Sequence, residues 1–299
     1  MLTTESVSRL FAGFNQKKII IIGDVMIDSY IWGRVDRISP EAPVPIVAVD
    51  KRENRLGGAA NVGLNIKSMG AQPFLCSVIG TDVKGDDFID LMALANLPTD
   101  GIIQSKKRVT TTKFRVIGNN TQMLRVDEEI KTPLENEERG SLYTRIIQII
   151  EKENIDSIIF QDYDKGVIDK HLITSVVDYA NANKIPVIVD PKKNNFLHYK
   201  NVNLFKPNLK EIKDGLNIEF DPSNNEELEN AVGKLQTALN ADIVLNTLSE
   251  RGVYIRWKEN DKFHQETIGA HYRNITDVSG AGDTVISVAT LCLTSEIDN

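Results

Sequence analysis

Near the start of the chain stands Lys18-Ile19-Ile20-Ile21-Ile22-Gly23-Asp24. Four consecutive β-branched apolar residues are typical of a strand that is buried on both faces, as in a parallel sheet. The run ends on a glycine and an aspartate, so polar groups follow the carboxyl end of the strand. That edge of a parallel sheet is where α/β proteins bind their ligands. The segment therefore predicts a buried parallel strand with a functional site beyond its end.

Outward from this strand, the second half of the chain alternates helix and strand patterns. Apolar residues at helical spacing predict helices over residues 142–150, 172–180 and 232–239. Short apolar runs predict strands over residues 157–160, 187–189, 202–206 and 243–246. Regular alternation of this kind predicts an α/β fold with a mostly parallel sheet and helices on both faces.

The first half of the chain carries strand patterns of a different kind. Strands are predicted at 44–49 and 74–79, and a hairpin pairs 109–117 with 122–126 across Gly118-Asn119-Asn120. The sequence has no internal repeat and no linker rich in glycine, proline or serine. We expect a single domain over residues 1–299, with the strands of a small second sheet inserted around 43–50 and 109–126.

Composition and charge restrict the classes of partner. With 41% hydrophobic and 26% charged residues, the sequence is that of a folded globular protein. A net charge of −7 and a pI of about 5.3 argue against nucleic acid or anionic membrane as the main partner. Residues 1–16 are mixed and polar, and the apolar run at 19–22 is too short for a signal peptide or a membrane span. We expect a cytoplasmic protein.

The strongest chemical motif is Thr276-Asp277-Val278-Ser279-Gly280-Ala281-Gly282-Asp283-Thr284, which precedes apolar residues at helical spacing. Small residues before a helix allow backbone N–H groups to converge, and the positive end of the helix dipole attracts a phosphate. The Asp283 carboxylate would lie in the same turn, where it can accept a proton from a hydroxyl. The alternative is that Asp283 only caps the helix and that Gly280 and Gly282 only form the turn. The motif alone leaves both interpretations open.

A second motif decides between them. The segment 277–283 resembles the D-T-x-G-A-G-D motif of the ribokinase, or PfkB, family, differing at its second position, and Gly57-Gly58-Ala59-Ala60-Asn61-Val62 resembles the family's sugar-binding motif. The resemblance extends from Ile19 to Thr284. It implies a ribokinase-like fold with a small β lid, and an ATP-dependent kinase in which Asp283 is the catalytic base. Gly280, Ala281 and Gly282 would then bind the transferring phosphate.

The resemblance also implies roles for other positions. It implies substrate binding by Asp28, Gly57, Gly58, Asn61, Lys113, Asp162 and Lys192. It implies ATP binding by Asn208, Glu211, Thr247, Glu250 and Gly252, with Glu211 contacting Mg²⁺ through water. Simpler interpretations exist: Asp24 and Asp28 as turn residues, Asn208 as a helix cap, and residues 247–252 as a plain turn.

Finer motifs indicate the acceptor. The segments 23–28, 37–45, 110–113, 122–127 and 162–166 resemble the heptose-phosphate kinases of lipopolysaccharide biosynthesis. The resemblance implies phosphorylation of the anomeric hydroxyl of D-glycero-β-D-manno-heptose 7-phosphate to the 1,7-bisphosphate, on the route to ADP-heptose. A phosphorylated substrate needs cations, and candidates near the motifs are Arg37, Lys113, Arg125, Lys165 and Lys192. Alternatives are a kinase for another sugar, sugar phosphate or nucleoside, and a protein that binds sugar or nucleotide without catalysis.

The resemblance carries two expectations about assembly. Family lids that pair across a two-fold axis imply a homodimer formed through the lid. Some relatives add a nucleotidyltransferase domain with an H-x-G-H motif, which is absent from this sequence. Few residues follow Asp283, so we expect the C-terminal helices of the fold to be incomplete.

Overall fold

A nine-stranded sheet forms the centre of the computed structural model, which describes residues 3–260, 262–270 and 280–295. Seven neighbouring strands are parallel, and two antiparallel strands extend the sheet at one edge. From that edge the order is β13 (Lys262–Ile268), β12 (Val253–Glu259), β11 (Ile243–Thr247), β10 (Leu204–Phe205), β9 (Val187–Asp190), β8 (Ser157–Gln161), β1 (Lys18–Gly23), β4 (Gln72–Gly80) and β5 (Ile102–Ser105). The predicted mostly parallel sheet is confirmed.

Helices cover both faces of this sheet. One face packs against α1 (Thr4–Phe14), α2 (Ala59–Ser68), α3 (Val83–Leu94) and α8 (Ala281–Thr294), and the other against α4 (Asn136–Glu153), α5 (Lys170–Ala182), α6 (Leu209–Leu216) and α7 (Asn225–Leu239). In β1, Ile20 and Ile22 belong to one apolar cluster, and Ile19 and Ile21 belong to the other. Because the strand has a buried face on each side, it needs apolar residues without a break.

A second sheet has four strands, and we call it the lid. Its order is β3 (Pro45–Gly58), β2 (Val25–Ile38), β6 (Thr112–Gly118) and β7 (Thr121–Glu128). The predicted hairpin is present as β6 and β7. It turns at Asn119 and Asn120, whose φ angles of 52° and 63° suit the tight turn of a hairpin.

The sequence analysis missed β2 and found only the beginning of β3. Both strands are mostly half-buried or exposed along their outer halves. Without one face fully buried, the residues do not alternate between apolar and polar, and the strand pattern is lost. Within the described residues, no helix is both long and apolar enough to cross a membrane.

The end of β1 leaves no room for a side chain, and this predicts the effect of Gly23→Ala. A Cβ on Gly23 would lie 2.1 Å from the carbonyl oxygen of Gln161 in β8 and 3.0 Å from the Ala59 Cβ. We expect the substitution to lower the free energy of unfolding by about 1–3 kcal/mol, because the backbones of β1 and β8 must separate. Urea unfolding followed by circular dichroism measures the change.

The matched control is Gly140→Ala, in the interior of α4, where a Cβ would meet nothing within 4 Å. This variant should gain about 0.5–1 kcal/mol, because alanine restricts the unfolded chain and favours helix. Equal stability of Gly23→Ala and the wild type would contradict the tight contact between the strands.

Candidate active site

Polar side chains collect where the parallel strands end. Gln161 and Asp190 are the last residues of β8 and β9, Lys206 follows β10, and Thr247 ends β11. The N-terminus of α8 lies above these strand ends, with Gly282 close to the Lys206 and Asp190 side chains. Two cavities meet here, and both are lined by Asp283 and Tyr163.

Asp283 lies in the first turn of α8, and the residue is only 7% exposed. Oδ2 accepts a hydrogen bond from Asn61 Nδ2 at 2.7 Å, and Oδ1 accepts from the Tyr163 hydroxyl at 2.8 Å and from Gln161 Nε2 at 3.2 Å. The N-cap position of α8 is Gly280, in the left-handed region at φ 78°. The capping role considered for Asp283 is therefore wrong, because its oxygens accept from side chains of other elements.

The larger cavity has a volume of about 620 Å³ and carries both signs of charge. The charged residues that line it include Lys192, Lys206, Lys210, Asp190, Glu211 and Asp283, and Gly282 of α8 also lines it. The first N–H groups of a helix have no acceptor within the helix, so this end of α8 is suited to an anion. Of the predicted phosphate loop, Gly280, Ala281 and Gly282 are at this helix start, and residues 276–279 lie outside the described residues.

A buried ion pair lies under the start of α8. Lys206 Nζ is 2.9 Å from Asp190 Oδ2, and the two residues are 4% and 7% exposed. Burial raises the pKa of Asp190, while Lys206 acts in the opposite direction. A Cβ on Gly282 would lie 3.6 Å from Lys206 Nζ. A phosphate bound at the helix start would therefore lie close to a desolvated ammonium group, where electrostatic attraction is strong.

The smaller cavity, of about 370 Å³, brings together Asp28, Gly57, Gly58, Asn61 and Lys113, which the sequence analysis assigned to the substrate. The glycines are required by space, because a Cβ on Gly57 would lie 2.4 Å from Asp28 Oδ2 and one on Gly58 would lie 2.4 Å from the Asp24 carbonyl oxygen. Burial lowers the pKa of Lys113, an effect that Asp127 opposes.

Two further cations line the smaller cavity. Arg115 forms an ion pair with Asp28, and the guanidinium carbons of Arg55 and Arg115 lie 4.9 Å and 5.3 Å from the centre of the Tyr30 ring. Arg55 Nε also forms an ion pair with Glu53 at 2.5 Å. Stacking on an aromatic face holds a guanidinium in place, and its five N–H donors leave some for a ligand beyond the ion pair. With Lys113, the cavity has three cationic side chains.

Some predicted substrate residues lie elsewhere. Asp162 is 1% exposed, and its Oδ2 accepts hydrogen bonds from the Tyr199 hydroxyl and from Asn195 Nδ2. Lys192 lines the larger cavity and forms an ion pair with Glu211. Asp162 is therefore part of a hydrogen-bonded cluster in the protein interior. Lys192 lines the larger cavity and not the smaller one, where the other substrate residues lie.

Of the other cations named from the sequence, two form ion pairs with carboxylates and one is exposed. Lys165 pairs with Glu129 at 2.7 Å, Arg125 pairs with Asp127 at 2.9 Å, and Arg37 is exposed in β2.

The residues expected to bind ATP are divided between the cavity and the turn beside it. Asn208, Glu211 and Thr247 line the larger cavity. Asn208 also caps α6, and Glu211 completes a capping box, so the simpler interpretation of this motif holds alongside the functional one. Glu250 is exposed in a 3₁₀ turn (Ser249–Arg251), and Gly252 follows it at φ 93°.

The carboxylates of the larger cavity fit a hydrated Mg²⁺ ion. Within the described parts of the chain, no three acidic, histidine or cysteine side chains cluster as a metal cage. Mg²⁺ bound with a nucleotide keeps several waters and uses only one or two carboxylates. Asp190 and Glu211 are two such carboxylates in the larger cavity.

Sequence reasoning missed Tyr163, Gln161, Lys206, Arg55 and Arg115. Gln161 and Lys206 were detectable, because each stands at the end of a predicted strand. Tyr163 lay inside a quoted motif, but the role was assigned to its neighbour Asp162. Arg55 lies in the part of β3 that was not predicted, so nothing in the sequence indicated which way it faces. Arg115 lies inside the predicted hairpin strand, but no role was assigned to it.

Asp24, between β1 and β2, is almost fully buried. Its carboxylate accepts hydrogen bonds from the backbone N–H groups of Tyr163, Lys165 and Val167, at 2.9, 3.1 and 3.0 Å. Burial and the nearby Asp162 carboxylate raise the pKa of Asp24 to about 6, although the three N–H groups act against the rise. Asp24 is therefore an internal support and not a surface turn residue.

Comparison with known proteins identifies a family and several relatives that match most of this chain. The model of the family described as pfkB family carbohydrate kinase matches residues 16–298. The bifunctional protein HldE of Helicobacter acinonychis is 40% identical over 277 residues, which are 93% of this chain and 58% of that protein. The protein of the same name from Helicobacter hepaticus is 38% identical over 281 residues, covering 94% and 57%. The chain thus spans less than three fifths of the length of these relatives.

Solved structures share the fold. Phosphofructokinase-2 from Escherichia coli in complex with fructose-6-phosphate aligns with a TM-score of 0.71 and 18% identity, over 94% of this chain and 88% of the other. Arabidopsis thaliana ribokinase complexed with ribose and ATP aligns with a TM-score of 0.67 and 15% identity, over 93% and 86%. The predicted ribokinase-like fold is confirmed.

The raised pKa of Asp24 predicts a pH-dependent stability. The folded protein retains this proton up to pH of about 6, whereas the unfolded chain releases it near 3.8. The contribution is therefore complete below about pH 4 and is lost as pH rises through 6. Relative to Asp24→Asn, which does not titrate, the wild type should lose roughly 2–3 kcal/mol of unfolding free energy between pH 4 and pH 8.

Urea unfolding of both proteins at intervals across that range measures the difference. Asp100→Asn removes an exposed negative charge and controls for the change in net charge. A wild-type minus Asp24→Asn difference that stays constant with pH would contradict the titration of Asp24.

Proposed function

The chain belongs to the pfkB family of carbohydrate kinases, and we propose that it transfers the γ-phosphate of ATP to a hydroxyl of a phosphorylated sugar. One observation carries the proposal: the Asp283 carboxylate borders both cavities. A phosphate donor in the larger cavity and a hydroxyl acceptor in the smaller one would approach each other at this side chain. Positioning of that kind supplies much of the catalysis in phosphoryl transfer.

In this mechanism, the acceptor hydroxyl attacks the γ-phosphorus in line with the departing ADP oxygen. Asp283 accepts the hydroxyl proton as the new P–O bond forms. The N–H groups at the start of α8 and the Lys206 ammonium stabilise negative charge on the phosphoryl oxygens. Lys206 is suited to this role because its desolvation strengthens its electrostatic effect.

Mg²⁺, when bound with ATP, would neutralise charge on the phosphates. Glu211 and Asp190 are the side chains that would hold its waters. Each of these carboxylates forms an ion pair with a lysine, Glu211 with Lys192 and Asp190 with Lys206. The same lysines would be available to phosphate oxygens once the metal approaches.

The charge of the smaller cavity supports an anionic acceptor. Arg55, Lys113 and Arg115 line one cavity together with the sugar-binding glycines. Cations in a partly desolvated cavity favour a phosphate group, and guanidinium groups bind it with paired N–H donors. Together with the motifs that resemble heptose-phosphate kinases, this favours D-glycero-β-D-manno-heptose 7-phosphate, with the anomeric hydroxyl as acceptor and the 1,7-bisphosphate as product.

The lid supports a further part of the proposal. It would cover the sugar and exclude the water that otherwise hydrolyses ATP. On β7, Met123, Leu124 and Val126 are 42%, 55% and 49% exposed. Apolar side chains on an exposed strand favour burial against a second copy, so we infer a homodimer formed through the lid. Because its substrates would be ATP and a sugar phosphate, we infer action in the cytoplasm.

The acceptor is tested by coupled ADP release with Mg-ATP. Heptose 7-phosphate should give a kcat/KM at least about a hundredfold above that of the same heptose without phosphate, because the cations of the cavity lose their partner. Ribose and fructose 6-phosphate extend the panel, and a reaction without acceptor gives the background. Selective use of another sugar would leave the kinase and remove the heptose, whereas background rates alone would favour a binding protein.

The role of Asp283 predicts the kinetics of Asp283→Asn. The amide accepts no proton, so kcat should fall by about a hundredfold or more while both KM values stay nearly constant. Steady-state kinetics with the best acceptor measure this split. Asp100→Asn serves as the control for an aspartate far from the site, and wild-type kcat in Asp283→Asn would remove Asp283 from the mechanism.

A further inference from the structure

The two oxygens of the Asp283 carboxylate have unequal surroundings. Oδ1 accepts two hydrogen bonds, from the Tyr163 hydroxyl at 2.8 Å and from Gln161 Nε2 at 3.2 Å. Oδ2 accepts one, from Asn61 Nδ2 at 2.7 Å. Each carboxylate oxygen has two lone pairs. Within the described part of the chain, both lone pairs of Oδ1 are thus engaged, and one lone pair of Oδ2 is left for a ligand.

We propose, on the basis of the proposed kinase function, that Oδ2 of Asp283 is the atom that takes the acceptor proton and that Tyr163 is the positioning residue that selects it. In the transfer, the acceptor O–H bond breaks as the O–P bond forms, and the proton moves to Oδ2. Tyr163 does not exchange a proton. It occupies Oδ1 and fixes the plane of the carboxylate.

The Tyr163 hydroxyl is suited to this role because it remains protonated. Burial and the neighbouring Asp283 carboxylate raise the pKa of Tyr163 far above its ordinary value near 10. At neutral pH the side chain therefore presents an O–H group that donates to Oδ1. A hydrogen bond from a neutral hydroxyl to a carboxylate is among the stronger kinds in proteins.

The backbone of Tyr163 is held from the other side by Asp24. The segment 163–167 wraps around the Asp24 carboxylate, which accepts three of its N–H groups. This path requires positive φ at Asp164 (56°) and Gly166 (87°). The Asp24 carbonyl oxygen also accepts the N–H of Ala59 at 3.0 Å, at the start of the helix that carries Asn61. Asp24 therefore fixes the elements that supply a donor to each oxygen of Asp283.

Tyr163 also lines both cavities, so a direct contact with a substrate is the competing explanation. The two roles differ in their kinetics. A residue that binds substrate changes KM when it is removed, whereas a residue that only orients the base changes kcat.

The test compares Tyr163→Phe with Tyr199→Phe. Both remove one hydroxyl that donates to an aspartate at 2.8 Å, but Tyr199 donates to Asp162, away from the base. With Mg-ATP and the acceptor identified by ADP release, Tyr163→Phe should lower kcat about tenfold, the equivalent of one charged hydrogen bond, with KM values within roughly twofold of wild type. Tyr199→Phe should keep the wild-type kcat.

A second measurement reads the contact without turnover. Urea unfolding of wild type, Tyr163→Phe, Asp283→Ala and the double variant forms a cycle, in which the double variant should lose less than the sum of the single losses. Additive losses, an unchanged kcat in Tyr163→Phe, or a change confined to KM would each overturn the inference. Absence of acceptor-dependent ADP release from the wild type would overturn the proposed function, and the urea cycle would still decide whether Tyr163 holds Asp283.

Discussion

The arrangement of the site depends on one buried carboxylate, that of Asp24. It stands where the chain leaves the main sheet at β1 and enters the lid at β2. An ionised or polar group at such a depth is costly unless it is fully hydrogen-bonded. Three N–H groups of the segment 163–167 donate these hydrogen bonds to Asp24. Because the segment is neither strand nor helix, the carboxylate also provides its backbone with acceptors. A lid strand, a helix start and the loop carrying Tyr163 are thereby joined at one residue.

Beyond Asp24, a buried chain of charged and polar side chains connects the strand ends with the start of α8. Lys206 pairs with Asp190, and Gln161 Nε2 lies within hydrogen-bond distance of both Asp190 and Asp283. Each side chain offsets part of the cost of burying its neighbour, so removal of one would leave another buried without its partner. The start of α8 covers this group, where Gly282 admits close approach. A single continuous network therefore sets the geometry of the larger cavity and of the Asp283 carboxylate that borders both cavities.

Sequence reasoning was strongest where burial is complete and weakest where it is partial. The four isoleucines of β1 and the Asn119-Asn120 turn were correctly predicted, because two-sided burial and positive φ restrict the choice of residue. The strand β2 was missed, since its second half has no fully buried face and therefore no apolar periodicity. Asp283, Gly57 and Asn61 were placed by resemblance, but periodicity does not show which of two adjacent residues faces a cavity. For that reason the sequence analysis assigned substrate binding to Asp162, and only the structure shows that its neighbour Tyr163 lines the cavities.

The position of β1 in the sheet also affects how the protein is made. Its Ile20 pairs with Phe74 on one side and with Ile158 on the other. During synthesis, Phe74 in β4 is made well before Ile158 in β8, because β8 comes after α3, the lid hairpin and α4 in the chain. Until then, β1 offers an open apolar edge, which is the kind of surface that associates with other chains. The strand at the centre of the native sheet is thus, in the nascent chain, an apolar segment that must wait for its second partner.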